Sequence, residues 1–159
     1  MGARAEAIAK KFEAKAQEVT AVFEKLSDAD WKKVTSAEKW TVGVVAHHIA
    51  SGHEAIAGIA KGVATGQTKG DLSMEMLHQM NTKHAAEHAN TTKAETIALH
   101  KKNAATAAAL VRGLSDADLD KSGPVLAGQP PMTAEQMAGG VLISHIDEHL
   151  GSIRAAVGV

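Results

Sequence analysis

Two histidines four residues apart, His145 and His149, are the side chains in this sequence best placed to do chemistry. They lie in "VLISHIDEHLGSIRAAV", a segment that otherwise has the pattern of an apolar helix. Neutral imidazole is the commonest metal ligand in proteins, and a helix that supplies two ligands to one ion uses this i, i+4 spacing. Because the chain contains no cysteine, histidines and carboxylates must provide any metal site.

A third histidine, His48, lies at the edge of the apolar stripe of another predicted helix. Its neighbour His47 is expected to project to the polar side, with Glu54 and Lys61. Three inward imidazoles without partners would be costly to bury, so the pattern favours a metal held by His48 and the C-terminal pair. Three protein ligands leave an open position, as in catalytic sites. Hydrogen-bonded core histidines are the alternative.

Other candidates are weaker, and each has an ordinary structural explanation. Glu148 could orient a ligand imidazole or move a proton, although a solvated surface carboxylate is the simpler interpretation. Arg154 could bind a cofactor carboxylate or only complement the helix dipole. Trp40 could wall a cofactor cavity or pack in the core. His84 and His88 also have i, i+4 spacing, but their polar surroundings have no clear inward stripe and suggest a chance pair.

Composition narrows the class of protein. The 159 residues suit one domain covering residues 1–159, and the formal net charge of −1 argues against a nucleic-acid partner. The N-terminal segment has no apolar core typical of a secretory signal, and no apolar run is long enough to span a membrane. We therefore predict a cytoplasmic protein without a membrane partner.

Helical periodicity and a low proline content predict an all-α fold, a four-helix bundle with longer connections after helices 1 and 3. Thr41, Thr92 and Thr133 are the predicted N-terminal caps of helices 2, 3 and 4, the last two with capping-box spacing. A short helix is expected between helices 2 and 3. The four long helices are predicted to span 3–25, 41–64, 92–113 and 133–157.

These residues together resemble the DinB/YfiT-like superfamily of metal-binding four-helix bundles. The likeness rests on Trp40 eight residues before His48, on "HIDEHLGSIR" at the far end, and on the order of the elements between them. The resemblance implies a divalent ion (zinc, nickel, manganese or iron) bound by His48, His145 and His149. It also implies a homodimer.

The resemblance further implies a function, because characterised relatives include transferases and isomerases that use mycothiol, bacillithiol or glutathione. We therefore expect a metal-dependent thiol S-transferase that acts on a small electrophile, in which the metal activates the thiol of the cosubstrate. Some related isomerases differ, with a carboxylate in place of His145 and an additional C-terminal domain.

Two other functions use the same three histidines and stay open. A metal-dependent hydrolase would hold water at the open position, beside a general base. A non-enzymatic module would bind a metal or small molecule, with the remaining imidazoles available to a sensing or storage site; these are His53, His78, His84, His88 and His100.

Overall fold

The computed structural model describes residues 2–159 and is mostly helical. Four long helices form the body of the molecule: α1 (Ala3–Lys25), α3 (Val42–Ala64), α5 (Lys93–Arg112) and α7 (Leu142–Val157). Shorter helices lie in the connections: α2 (Asp28–Lys32), α4 (Met74–Glu87) and α6 (Asp116–Asp120). Two strands of two residues each, β1 (Ser122–Gly123) and β2 (Met132–Thr133), pair antiparallel before α7. The all-α bundle predicted from the sequence is confirmed.

The four long helices are arranged around a square in the order α1, α5, α3, α7. Ion pairs at the helix ends give the directions: the end of α5 meets the start of α1 through Arg112 and Glu6, whereas α7 runs alongside α1 in the same direction. The starts of α3 and α5 meet where Trp31, packed on Gly43 of α3, donates a hydrogen bond to the carbonyl of Thr91. The order is therefore up, down, down, up.

This topology explains the connections. The chain crosses the diagonal of the bundle between α1 and α3 and again between α5 and α7. Longer connections were predicted after helices 1 and 3, but the connection from α3 to α5 is also long. Because α3 and α5 run in the same direction, the chain must also return along the length of the bundle between them. Helix α4 carries it back toward the start of α3.

Small apolar side chains allow the helices to pack closely. The core is rich in alanine, valine and isoleucine, and its largest members, Phe12 and Phe23 of α1, are fully buried. Burial of this apolar surface is the main source of stability for a bundle of this size. None of the helices among residues 2–159 is long and apolar enough to cross a membrane.

The predicted caps are present, but helix 4 begins differently from the prediction. Thr133 and Gln136 exchange reciprocal hydrogen bonds of 2.8 and 3.0 Å, which is the capping box expected from the sequence. The next turn, Gln136–Val141, is π-helical, and the N–H of Leu142 bonds to the carbonyl of Met137 five residues back. Regular α-helical spacing starts only with α7. Single π-helical turns of this kind often adjoin functional sites.

Candidate metal centre

Helices α3 and α7 bring three histidines together. Nε2 of His48 lies 3.0 Å from Nε2 of His145, and one nitrogen from each of His48, His145 and His149 falls within a 4.8 Å span. The i, i+4 spacing places the two α7 imidazoles on the same face, 4.7 Å apart between ring centres. The three histidines chosen from the sequence are thus neighbours in the structure, with one nitrogen of each close to the other two.

A buried carboxylate fixes one member of this triad. Oε2 of Glu38 accepts a hydrogen bond of 2.7 Å from Nδ1 of His149, and the two side chains are only 8% and 13% exposed. With the proton held on Nδ1, the lone pair of Nε2 is free to bind a metal. Burial would raise the pKa of Glu38, but hydrogen bonds, the first from His149, bring it below its usual value. Glu38 is therefore ionised at neutral pH.

Glu38 was missed by the sequence analysis because it lies in a turn. Residues 34–41 fold back on themselves, with Thr35 donating to the carbonyl of Trp40 and an isolated β-bridge between Val34 and Thr41. Lys39 has a positive φ of 61°, which closes the turn beside Glu38. The sequence signal was only a carboxylate shortly before the start of α3, and nothing in its spacing pointed to α7.

Burial keeps two of the triad imidazoles, those of His48 and His145, neutral, which is the form that binds metals. Burial, and then the adjacent His149, lowers the pKa of His48 to about 4. Burial, and then His48, lowers the pKa of His145 to about 3. Nδ1 of His145 is buried without a hydrogen-bond partner. At pH 7 neither ring has to lose a proton before it can act as a ligand.

Gly52 of α3 and Trp40, which precedes α3, shape the space around the triad. A Cβ atom at Gly52 would lie 2.4 Å from Cε1 of His145, so only glycine lets this ring approach α3. Trp40 packs against the hydrophobic core and meets His48 edge-to-face, with ring centres 5.5 Å apart. Trp40 therefore packs in the core, as one of the two interpretations predicted, and also contacts His48. Its role in walling a cofactor cavity stays a prediction.

The prediction that His47 points to the polar side is wrong. His47 is only 8% exposed, because α4 covers it. Its ring stacks on His88 at 3.9 Å between centres, and its Nδ1 lies 2.8 Å from Nε2 of His84. The interpretation of His84 and His88 as a chance pair missed this contact. Their i, i+4 spacing was the available signal, but the partner on α3 depends on how α4 packs.

Two weaker candidates lie away from the triad nitrogens. Glu148 is exposed on α7, and the carboxylate that contacts His149 is Glu38 instead. Arg154 forms an ion pair of 2.8 Å with Glu18 of α1. This ion pair joins α7 to α1, which is a structural role for Arg154.

A third group of histidines is wholly internal. His53 and His100 are 0% and 1% exposed, and Nε2 of His53 lies 2.9 Å from Nδ1 of His100. Nε2 of His100 in turn donates to the carbonyl of Ala16 and lies 3.0 Å from the hydroxyl of Thr20. These contacts join α3, α5 and α1. They identify the pair as a hydrogen-bonded core feature.

Comparison with known proteins gives a family and a fold. The model of the DinB superfamily matches residues 11–153. A crystal structure of a mutant mycothiol-dependent maleylpyruvate isomerase is similar with a TM-score of 0.74 at 14% sequence identity. The match covers 94% of this chain but 60% of that protein, and at this identity it establishes a shared fold. No match was found among the curated proteins.

Proposed function

The chain belongs to the DinB superfamily, and from this premise we propose that it is a metal-dependent thiol S-transferase acting on a small electrophile. The observation that carries the proposal is the proximity of three imidazoles, one of them hydrogen-bonded to the buried carboxylate of Glu38. The similar fold of a mycothiol-dependent enzyme supports a thiol as cosubstrate.

The residues present fit a divalent transition metal. Two Nε2 atoms that face each other at 3.0 Å, with a third imidazole beside them, form a compact nitrogen donor set. Imidazole ligands suit zinc, nickel and iron better than they suit manganese, which prefers oxygen. His48, His145 and His149 would hold the ion, and three ligands leave a position for another group.

The side chains of this protein have distinct roles in the proposed reaction. A bound dication would supply the charge that lowers the pKa of a cosubstrate thiol. Glu38 orients His149, and Gly52 leaves room for the ring of His145. The chain has no cysteine, so the nucleophilic sulfur must come from the cosubstrate. Low-molecular-weight thiols stay reduced in the cytosol, which agrees with the predicted cytoplasmic location.

The first test asks which residues hold the metal. The untagged full-length chain is loaded with cobalt, and bound metal is measured for wild type, His48→Ala, His145→Ala and His149→Ala. We expect each of the three variants to lose one equivalent of cobalt. Glu148→Gln, which changes an exposed carboxylate on the same helix, is the matched control and keeps the wild-type content. Full cobalt content in all three variants would contradict the proposed site.

The second test asks what binds at the open position. Mycothiol, bacillithiol and glutathione are added separately to the cobalt-loaded protein. A thiolate–cobalt charge-transfer band is expected with one of them, together with faster conjugation to monobromobimane, and both are expected to be absent in His149→Ala. Ester or amide hydrolysis without any thiol band would instead identify a hydrolase. Metal binding without either reaction would identify a binding module.

A further inference from the structure

We propose that His47, His84 and His88 bind a second divalent transition-metal ion, which attaches α4 to the bundle. One nitrogen from each of these histidines lies within 4.8 Å of the other two, as is also true of the first triad. This second triad shares no residue with the first. Its ion would be additional to the one in the proposed function.

The donor atoms of the second triad converge across two helices. Nδ1 of His47 and Nε2 of His84 are 2.8 Å apart, and the hydroxyl of Ser51 lies 3.4 and 3.3 Å from them. The ring of His88 stacks on that of His47, with 4.6 Å between the ring centres of His84 and His88. Three imidazoles beside one hydroxyl form a donor set suited to zinc, copper, nickel or iron.

Hydrogen bonding within the second triad leaves one buried nitrogen without a partner. Only one proton can be shared between Nδ1 of His47 and Nε2 of His84, while Nδ1 of His84 is buried without a partner. Buried imidazole nitrogens normally have partners. A metal ion between His47 and His84 would bind the lone pairs of both facing nitrogens, which share a single proton without it.

Helix α4 has little else to hold it in place. None of its residues is buried, and Met74, Met76 and Met80 are about half exposed. The half-buried side of the segment consists of Leu77, Asn81, His84, Ala85 and His88. Since apolar burial usually fixes a helix on a bundle, a helix that buries so little gains most from a cross-link. The second triad provides one between α3 and α4.

The two triads are close enough that the second ion could affect the first site. His47 and His48 are consecutive on α3, and the ring centre of His84 is 5.8 Å from that of His48. An ion at the second triad would hold α4 beside the first triad. The expected structural consequence is an ordered wall on the α4 side of His48.

The test measures stoichiometry on the untagged, metal-depleted full chain titrated with zinc and, separately, cobalt. We expect two equivalents for wild type and one each for His84→Ala, His88→Ala and His149→Ala. The double variant His88→Ala with His149→Ala should bind none. His78→Ala, an exposed histidine on the same helix, is the matched control and should bind two. Circular dichroism establishes that each variant keeps its helical content.

Hydrogen exchange gives a second readout that is independent of activity. Adding zinc should slow exchange in residues 74–87 of wild type and of His149→Ala, but not of His88→Ala. One equivalent in wild type, retained in His88→Ala and lost in His149→Ala, would overturn the second site and leave the first intact. One equivalent lost equally in both variants would indicate one composite site and also overturn the proposal. Loss of binding only in His88→Ala would contradict the first site instead.

Discussion

At the scale of single residues, Glu38 determines how His149 is presented. Its carboxylate accepts the Nδ1 proton at 2.7 Å and is shielded from water. Such carboxylate–histidine contacts fix the ring orientation and the tautomer of a metal ligand. The lone pair of Nε2 therefore has a defined direction before any ion arrives.

Replacing this carboxylate should weaken metal binding without removing a ligand. We expect Glu38→Ala to lower cobalt affinity at the first triad by about 10–100-fold, because His149 loses its orienting partner. Competition with a chelating indicator measures the change. Glu148→Gln is the control and should leave the affinity unchanged. An unaltered affinity in Glu38→Ala would show that His149 is positioned by packing alone.

A second residue-scale prediction concerns Gly52. A methyl group there would lie 2.4 Å from the ring of His145, so Gly52→Ala should displace that ring and lower cobalt affinity by about tenfold or more. Gly58→Ala is the matched control on the same helix, because a Cβ at that position meets nothing within 4 Å. The control should keep its affinity and gain up to about 1 kcal/mol in free energy of unfolding from helix propensity. Equal affinities in both variants would contradict the steric argument.

At the scale of elements, the buried pair His53 and His100 lies between α3 and α5 and makes the stability of the fold depend on pH. Burial, and then the neighbouring His100, lowers the pKa of His53 to about 3, and burial also lowers the pKa of His100. The unfolded chain takes up protons near pH 6.5, whereas the folded chain does not. Stability is therefore complete above pH 6.5 and falls as the pH decreases from 6.5 toward 3.

We expect the metal-free protein to lose stability between pH 8 and pH 5, with about 2 kcal/mol of the loss due to His53. The double variant His53→Leu with His100→Leu should show a smaller loss. It should fold, since the carbonyl of Ala16 still accepts from the hydroxyl of Thr20 at 3.1 Å. Urea unfolding in a chelator at both pH values measures the difference. The same loss in wild type and variant would contradict the prediction.

Two short elements show how a repeated sequence gives a repeated local structure. "LSDAD" occurs at 26–30 and at 114–118, following α1 and α5. At both places the serine and the aspartate three residues later form a reciprocal capping box, and a five-residue helix follows. The repeated sequence therefore forms the same local structure at both places. Each copy starts a connection that crosses the diagonal of the bundle.

At the scale of the whole molecule, a homodimer is the prediction implied by the family resemblance. The exposed side of α3 carries small residues, including Gly58, that would let another helix approach closely. Light scattering at micromolar concentration should give twice the chain mass of 16.5 kDa. A monomer mass would contradict the prediction.

The surface of α3 can be tested separately. Gly58→Arg should be tolerated within one chain, because that position faces open space, but should shift the assembly toward monomer if α3 forms the contact. Gly66, which also has open space around it, lies beyond the end of α3. Its positive φ of 71° makes substitution there strained, so Gly58 is the better probe. A dimer that persists in Gly58→Arg would place the contact on another surface.

The sequence by itself determined the features that depend on local periodicity. Helix 1 has the predicted bounds, Ala3–Lys25, and Thr41, Thr92 and Thr133 make their predicted capping contacts. The spacing of the apolar residues also predicted that His145 and His149 share one face of α7, as they do. These features follow from neighbours three or four residues away, which a linear pattern records.

Only the tertiary structure decided that His47 meets His84 and His88 and that Glu38 meets His149. Because α3 and α5 run in the same direction, the chain must return between them through α4. The packing of this segment buries His47 against His84 and His88. A turn with a positive φ at Lys39 brings Glu38 to His149, 111 positions along the chain. Such contacts depend on how distant elements pack and how connections cross the bundle. Local periodicity does not encode those arrangements.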